Sequence, residues 1–524
     1  MKARLGAAAG LAGVVGLAGV AGYDILQRRH SILRNFPVVG HLRFMLESIG
    51  PELRQYIVTD NDEERPFSRD QRRWVYAAAH AADTSLGYGT DNELDHSSGY
   101  VVVKPDAFPA PPPTLHEGRT DYPLPVGKVV GAGHRRQGAF RPDSVVNISG
   151  MSFGALSAPA VTALNRGAEM AGCLQNTGEG GISPYHRRGG ALIWQIGTGY
   201  FGCRDAQGRF DLARLVAQTE SAPVRALEVK LSQGAKPGLG GMLPGVKVTP
   251  EIAAIRGVPV GVDCVSPASH TAFSGIDGLI EFVERLAAAT GLPVGIKSAV
   301  GEEDFWLRLT ARMATTGGGP DFVTVDGGEG GTGAAPPVFA DHVSLPFLVG
   351  FPRVYRAFAE HGLHEKVAFA GSGRLGLPDR ALLALGLGCD WLNVGREAML
   401  SVGCVQSQRC HTGRCPTGVA TQNRWLTRGL DAESKSQRCA AYVTTLRRDL
   451  TRVAVASGYA HPALVPLERF ELLSDPYGAI PAPTAFGYRV EWGLPSWEDR
   501  SLLGAIMDAS APQSGASESA GNPR

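Results

Sequence analysis

Short apolar stretches rich in β-branched residues recur through the middle of the chain. Each ends in glycine or a polar residue. Eight read as buried strands: 145–149, 173–177, 193–197, 227–232, 294–298, 322–326, 367–371 and 391–395. Stretches with helical spacing lie between them, among them 158–171, 275–290, 302–316 and 379–387. Continuous apolar strands alternating with helices predict a parallel sheet covered by helices. Eight such units within residues 116–430 predict an α/β fold, a (β/α)8 TIM barrel. A doubly wound open sheet is the alternative. The polar or glycine-rich residues after nearly every strand favour the barrel, whose mouth gathers such residues into one site. Residues 257–273 read as an excursion between strands, with an extra apolar run at 260–265.

The ends differ from this middle. Residues 5–23 form an uncharged Ala, Gly, Val and Leu run, long enough to span a hydrocarbon core as a helix. A cleaved secretory signal is the alternative. Arg28, Arg29 and Arg34 follow the run, against Lys2 and Arg4 before it. The heavier C-terminal flank puts the body in the cytoplasm, on the inner membrane behind a single N-terminal span. The expected organisation is a transmembrane anchor over 1–24, a helical N-terminal extension and linker over 25–115, and the barrel over 116–430. A helical closing segment over 431–507 and a disordered tail over 508–524 complete it. Ser68 is placed to cap a helix running through Trp74 to Ala79. Prolines at 109–113 mark the linker.

Charge excludes one class of partner. Fifty-one basic and 50 acidic residues leave no basic surplus for nucleic acid. The 68 glycines cluster where apolar runs end, which suggests loops that approach a ligand closely. Three of the eight cysteines, Cys404, Cys410 and Cys415, lie in CVQSQRCHTGRCP at 404–416. Three thiols in so short a loop can converge on an inorganic cluster. With no fourth cysteine nearby, a three-iron cluster is favoured. Zinc with His411 as fourth ligand is the alternative.

Further signals follow the strands. Asp326, Gly327, Gly328, Gly331, Thr332 and Gly333 form one glycine-rich loop, and Gly371, Gly373 and Arg374 a second. Backbone N–H groups in such loops can cradle a phosphate. Gly395 and Arg396 add a cation after the last strand. Lys230 and Lys297 interrupt apolar strands, where a charge needs an anionic partner. A flavin edge that becomes anionic on reduction would serve; pairing of Lys230 with Glu228 is the bland alternative. Asn176 and Glu179 put an amide and a carboxylate at the end of the second strand.

These signals, in this order, resemble the FMN-binding domain of glutamate synthase. The runs that carry the likeness are SGMSFGALSA at 149–158, QNTGEGGI at 175–182, EVKLSQGAKPGL at 228–239 and LPGVKVT at 243–249. GEGGTGAA at 328–335 and the cysteine loop through PTGVATQN at 416–423 complete them. The resemblance implies FMN and a [3Fe-4S] cluster. Met151, Ser152, Gly154 and Asn176 would lie along the flavin. Lys230 and Lys297 would hold its ring edge, and the glycine loops with Arg374 its phosphate. Cys404, Cys410 and Cys415 would hold the cluster. Lys236 and Arg256 match cations that bind the carboxylates of 2-oxoglutarate, and Glu179 an acidic residue near substrate.

Leu239 and Met242 stand where the family usually has Glu and Gln, and residues 266–271 depart from its paired prolines and histidines. No glutaminase domain precedes the barrel. The implied activity is therefore reductive amination of a 2-oxo acid with ammonia or an amine. Electrons would come from a separate donor, a ferredoxin or an NADPH-linked reductase, and ammonia from a separate glutaminase subunit if from glutamine. An N-methylglutamate synthase-like reaction and a membrane electron-transfer module are the alternatives. A non-redox FMN barrel, like the type 2 isopentenyl diphosphate isomerase, leaves the cysteine loop unexplained.

Overall fold

The computed structural model describes residues 2–48, 64–85, 87, 89–90, 99–109, 124–475 and 478–509. Side chains of 2–12, 475 and 508–509 lie outside that description, as do most of the proline-rich linker and the tail from 510.

Eight strands close into a parallel barrel. They are β1 (Val146–Ile148), β2 (Gln175–Asn176), β3 (Leu192–Ile196), β4 (Val224–Lys230), β5 (Val294–Ala299), β6 (Phe322–Asp326), β7 (Ala368–Ser372) and β8 (Trp391–Val394). Each pairs with the next in sequence, and β8 returns to β1 through Leu392 opposite Val146. Closure removes the doubly wound alternative. All eight strands fall where the hydropathy pattern put them. β2 is shorter than expected, although the Thr177 amide still donates to the Ile193 carbonyl of β3 at 3.0 Å.

The barrel interior is not purely apolar. The fully buried Glu228 carboxylate accepts from Asn176 (2.7 Å), Gln195 (2.6 Å) and Thr324 (2.6 Å). Three neutral donors on β2, β3 and β6 thus satisfy one buried charge. Trp194, Trp306 and Trp391 are fully buried, and the Trp391 ring lies 5.5 Å from that of Phe322, on the sheet face that carries Thr324. The helix Ala158–Met170 is capped by Ser157, whose hydroxyl accepts from the Ala160 amide, and the long helix Ala432–Ala456 packs on it. The expected excursion is real: Cys264–Val265 pairs antiparallel with Met242–Leu243 over the barrel mouth.

The flanking segments need two corrections. The closing segment is not all helical. Phe470–Asp475 and Gly478–Pro481 join Val101–Val103 in a three-stranded antiparallel sheet. At the N-terminus a helix does form over Lys2–Leu26. Among the described residues, however, no helix is long and apolar enough to cross a membrane. The helix is diluted by glycine, and its end carries Asp24, buried against His41 (2.9 Å) and the Val38 amide (2.8 Å). The expected transmembrane helix is therefore, as described, an N-terminal helix rooted in protein. Asn35 ties that root to the body by donating to the Pro416 and Leu426 carbonyls.

Candidate cofactor site

The strands deliver their last residues to a cavity at the C-terminal mouth of the barrel. It holds about 1300 Å³ of empty space including its opening. Sequence-predicted residues on its wall are Met151, Ser152, Glu179, Lys230, Lys236, Arg256, Lys297, Asp326, Gly331, Thr332, Gly333, Gly373, Arg374, Gly395, Arg396 and Cys410.

Lys230 does not pair with Glu228. Its ammonium donates to Glu179 (2.9 Å) and Gln233 (2.7 Å). Burial opposes the Glu179 charge, but Lys230, then Lys236 and Arg256, outweigh it and hold the carboxyl below the usual glutamate range. Glu179 is thus a standing carboxylate, suited to accept hydrogen bonds and not to deliver a proton. Lys297 lies 3.4 Å from Asp326. Burial disfavours its charge, yet Asp326 and Glu228 more than offset this and raise its pKa. Two fixed ammonium groups therefore stand at the ends of β4 and β5.

Lys236 and Arg256 face the same space. Burial lowers the Lys236 pKa, and among the described residues its ammonium has a single weak donor contact, to the Gly240 carbonyl at 3.3 Å. Arg256 donates to the Ser152 hydroxyl (3.3 Å) and the Phe153 carbonyl (3.2 Å). A Cβ on Gly180 would sit 2.8 Å from this guanidinium, so the TGEGG turn leaves room for the arginine.

The opposite wall is cationic. The guanidiniums of Arg374 and Arg396 both lie over the Phe67 ring, at 5.3 and 5.1 Å from its centroid. Burial, then repulsion from Arg380 and Arg396, holds Arg374 down to about 10. Its Nε is buried without a partner among the described residues. The backbone from Gly330 to Ala334 lines the same wall. A buried, mutually repelling arginine pair beside a glycine loop fits a phosphate, and the lysine pair fits an anionic ring edge. The chain's own groups thus fit FMN.

Some expected contacts lie behind this wall. The amides of Gly327 and Gly328 are spent on the Ser372 and Leu345 carbonyls. Gly371 is packed by Leu375, Cys389 and Phe347. Gly154 lies beside Arg256, and Asn176 turns its amide to Glu228 and the Gly178 N–H.

The cysteine loop adjoins the cavity through Cys410. Cys404 and Cys415 stand behind it, and neither lines the cavity. Burial, with the other two sulfurs adding, pushes the Cys404 thiol up to about 12. Among the described residues no group of three or more His, Cys, Asp or Glu side chains is arranged to hold a metal ion. Neither the zinc alternative through exposed His411 nor convergence of Cys404, Cys410 and Cys415 on one ion thus gains support from the arrangement. Burial, then the neighbouring sulfurs, raise the Cys404 and Cys410 thiols, and the positive charge of an inorganic cluster would let such thiols ionise.

Five residues with no role in the sequence reading shape this region. Gln406, in the left-handed region at φ 54°, accepts from the Phe67 amide (3.0 Å). Gln71 accepts from Arg374 (3.1 Å), and the Tyr76 hydroxyl donates to the Cys404 carbonyl (2.8 Å). Lys247 is buried, donates to the Ala155 and Cys410 carbonyls, and is lowered to about 8 by burial. His270 holds the Lys230 carbonyl (2.9 Å). Only Lys247, a cation inside an apolar run, leaves a mark a reader of the sequence could follow.

A family model described as a conserved region in glutamate synthase matches residues 129–460. The glutamate synthase large subunit-like protein YerD of Bacillus subtilis is 37% identical over 472 residues, covering 84% of this chain and 89% of that protein. The archaeal glutamate synthase (NADPH) of Methanocaldococcus jannaschii is 35% identical over 322 residues. That match covers 60% of this chain and 59% of the relative, so the chain spans under two thirds of that relative's length. A glutamate synthase large subunit-like protein of Rhizobium meliloti is 32% identical over 335 residues, covering 60% of this chain and 72% of the relative.

Proposed function

The chain belongs to the glutamate synthase conserved-region family, and from that premise we propose that it catalyses an FMN-dependent reductive amination of a 2-oxo acid. One observation carries the reading: a single cavity brings together two strand-end lysines, an arginine–glycine cradle, two further cations and the thiol of Cys410. FMN would supply hydride chemistry and a [3Fe-4S] cluster single electrons. Lys230 and Lys297 would hold the flavin's ring edge, with Arg374, Arg396 and residues 330–334 around its phosphate. Cys404, Cys410 and Cys415 would hold the cluster.

The remaining groups handle substrate. Lys236 and Arg256 bind carboxylate, and Ser152 orients Arg256. Glu179, kept ionised by Lys230, accepts a hydrogen bond from the incoming amine. Electrons come from a separate ferredoxin or NADPH-linked reductase, and ammonia from solution or a glutaminase subunit. The N-terminal helix would attach the enzyme to the inner membrane with its catalytic body in the cytoplasm.

A second reading has its own observation. Met242 lines the cavity, about half exposed, beside Leu243 and Phe201. An apolar wall there favours an alkylated amine, as in N-methylglutamate formation. The test supplies a chemically reduced electron carrier and 2-oxoglutarate with either ammonium or methylamine, and identifies the amino acid formed. Glutamate supports the first reading and N-methylglutamate the second. Formation of neither rejects both.

A further inference from the structure

The N-terminal extension encloses a second cavity, which meets the cysteine loop at Cys404 and whose cations the reaction above does not use. It lies between the root of the N-terminal helix and the helices Arg69–Ala79 and Ala432–Ala456, with about 660 Å³ of space including its opening. Arg29, Arg43, Lys435 and Arg438 line it, with His30 and His80. Glu47 is the single carboxylate on its described wall, and Arg43 already holds it at 2.7 Å. Asp431, just outside, caps a helix through the Ser434 amide and faces Arg28.

Among the described residues the cations are short of acceptors. The buried Lys435 ammonium and the Arg438 guanidinium share one, the Arg29 carbonyl, at 3.2 and 3.0 Å. The Ser31 hydroxyl in the same wall is buried without a partner among the described residues. Burial, then Arg438, holds Lys435 down to about 7; burial, then Arg438 and Lys435, holds His80 to about 4. A cavity that packs so much positive charge against itself is completed by an anion.

The surface of the same segment says where the anion comes from. The helix His41–Ser48 turns Arg43, Phe44 and Glu47 to the cavity and buries none of its residues. Its Leu42, Met45 and Leu46 are exposed, as are Phe36 and Val39 before it and Val20 and Ile25 on the N-terminal helix. Exposed apolar side chains on a segment that also lines a cationic recess match acyl chains beside a phosphate. An acidic protein segment or free phosphate would satisfy the recess and leave those apolar side chains bare.

We propose that this cavity binds the phosphate of an anionic phospholipid and seats residues 25–48 on a membrane surface. It deepens the membrane attachment proposed above but rests on different atoms.

The test floats the full-length holoprotein with vesicles of phosphatidylcholine alone or with added phosphatidylglycerol. Phosphatidylglycerol is expected to tighten binding roughly fivefold for each cation engaged, the equivalent of about 1 kcal/mol apiece. Arg438→Gln is expected to lose part of that gain while keeping its cofactors and its binding to phosphatidylcholine. Lys435→Gln serves as a second variant, checked by cofactor content. Binding to phosphatidylglycerol vesicles alone removes the helical anchor and keeps the cavity site. Equal binding to both vesicles, or a gain that Arg438→Gln fully retains, overturns the cavity site. Inorganic phosphate that raises thermal stability as much as a short-chain phosphatidylglycerol reassigns the cavity to free phosphate and overturns the lipid.

Discussion

Glu179 and Lys230 form the pair on which the substrate end of the site turns. Their 2.9 Å contact keeps the carboxylate ionised against burial. A carboxyl whose pKa is lowered on folding stabilises the fold above its unfolded value, about 4.3 for glutamate. That contribution is lost as pH falls through the lower folded value. Glu179→Gln is therefore expected to be destabilised relative to the parent at neutral pH, and the difference to shrink below about pH 4. Urea unfolding at several pH values measures it. A gap that widens with acid contradicts the pairing. Lys230→Met leaves Glu179 without its closest cation, so its carboxyl pKa is expected to rise and the acid limb of the pH–rate profile to move upward.

The helix Arg69–Ala79 connects the two proposed cofactor sites. Ser68 and Gln71 form a capping box at its start, as the sequence indicates for Ser68. From that fixed end, Phe67 lies beneath Arg374 and Arg396, Gln71 holds Arg374, and Tyr76 holds the cysteine loop. Ser68→Ala is expected to cost about 1 kcal/mol of stability, read as a lower melting temperature. Gln406→Ala unties the cysteine loop from Phe67. It is expected to lower the iron content of purified protein while leaving flavin content near that of the parent, measured by metal analysis and absorbance. Equal loss of both would place the tie elsewhere. The barrel strands were legible because each is a buried apolar run with a polar end. The glycine loops and cysteines were legible because their local spacing carries their chemistry. The bridge through Phe67, Gln71 and Tyr76 was not, since it joins residues more than 300 positions apart, such as Gln71 and Arg374. Nor was the division of the first glycine loop, where Gly327 and Gly328 serve the backbone and Gly331 to Gly333 face the cavity.

For the molecule as a whole, the barrel gathers the ends of its strands into one mouth, and the excursion through Met242 and Leu243 partly roofs it. Cations stand on three sides of that mouth although the chain's net charge is only +1, so the charge is concentrated where anions are to be held. Cys410 of the cysteine loop lines the same cavity as the proposed flavin cradle, and the proposed electron transfer between them would pass there. The most direct measurement mixes the anaerobically reduced full-length protein with 2-oxoglutarate and either ammonium or methylamine, and follows the visible flavin absorbance. The account expects reoxidation of the flavin only when both acid and amine are present, slowed by loss of charge at Lys236 or Arg256. A flavin that stays reduced with every combination, or a purified protein with no flavin band at all, contradicts it.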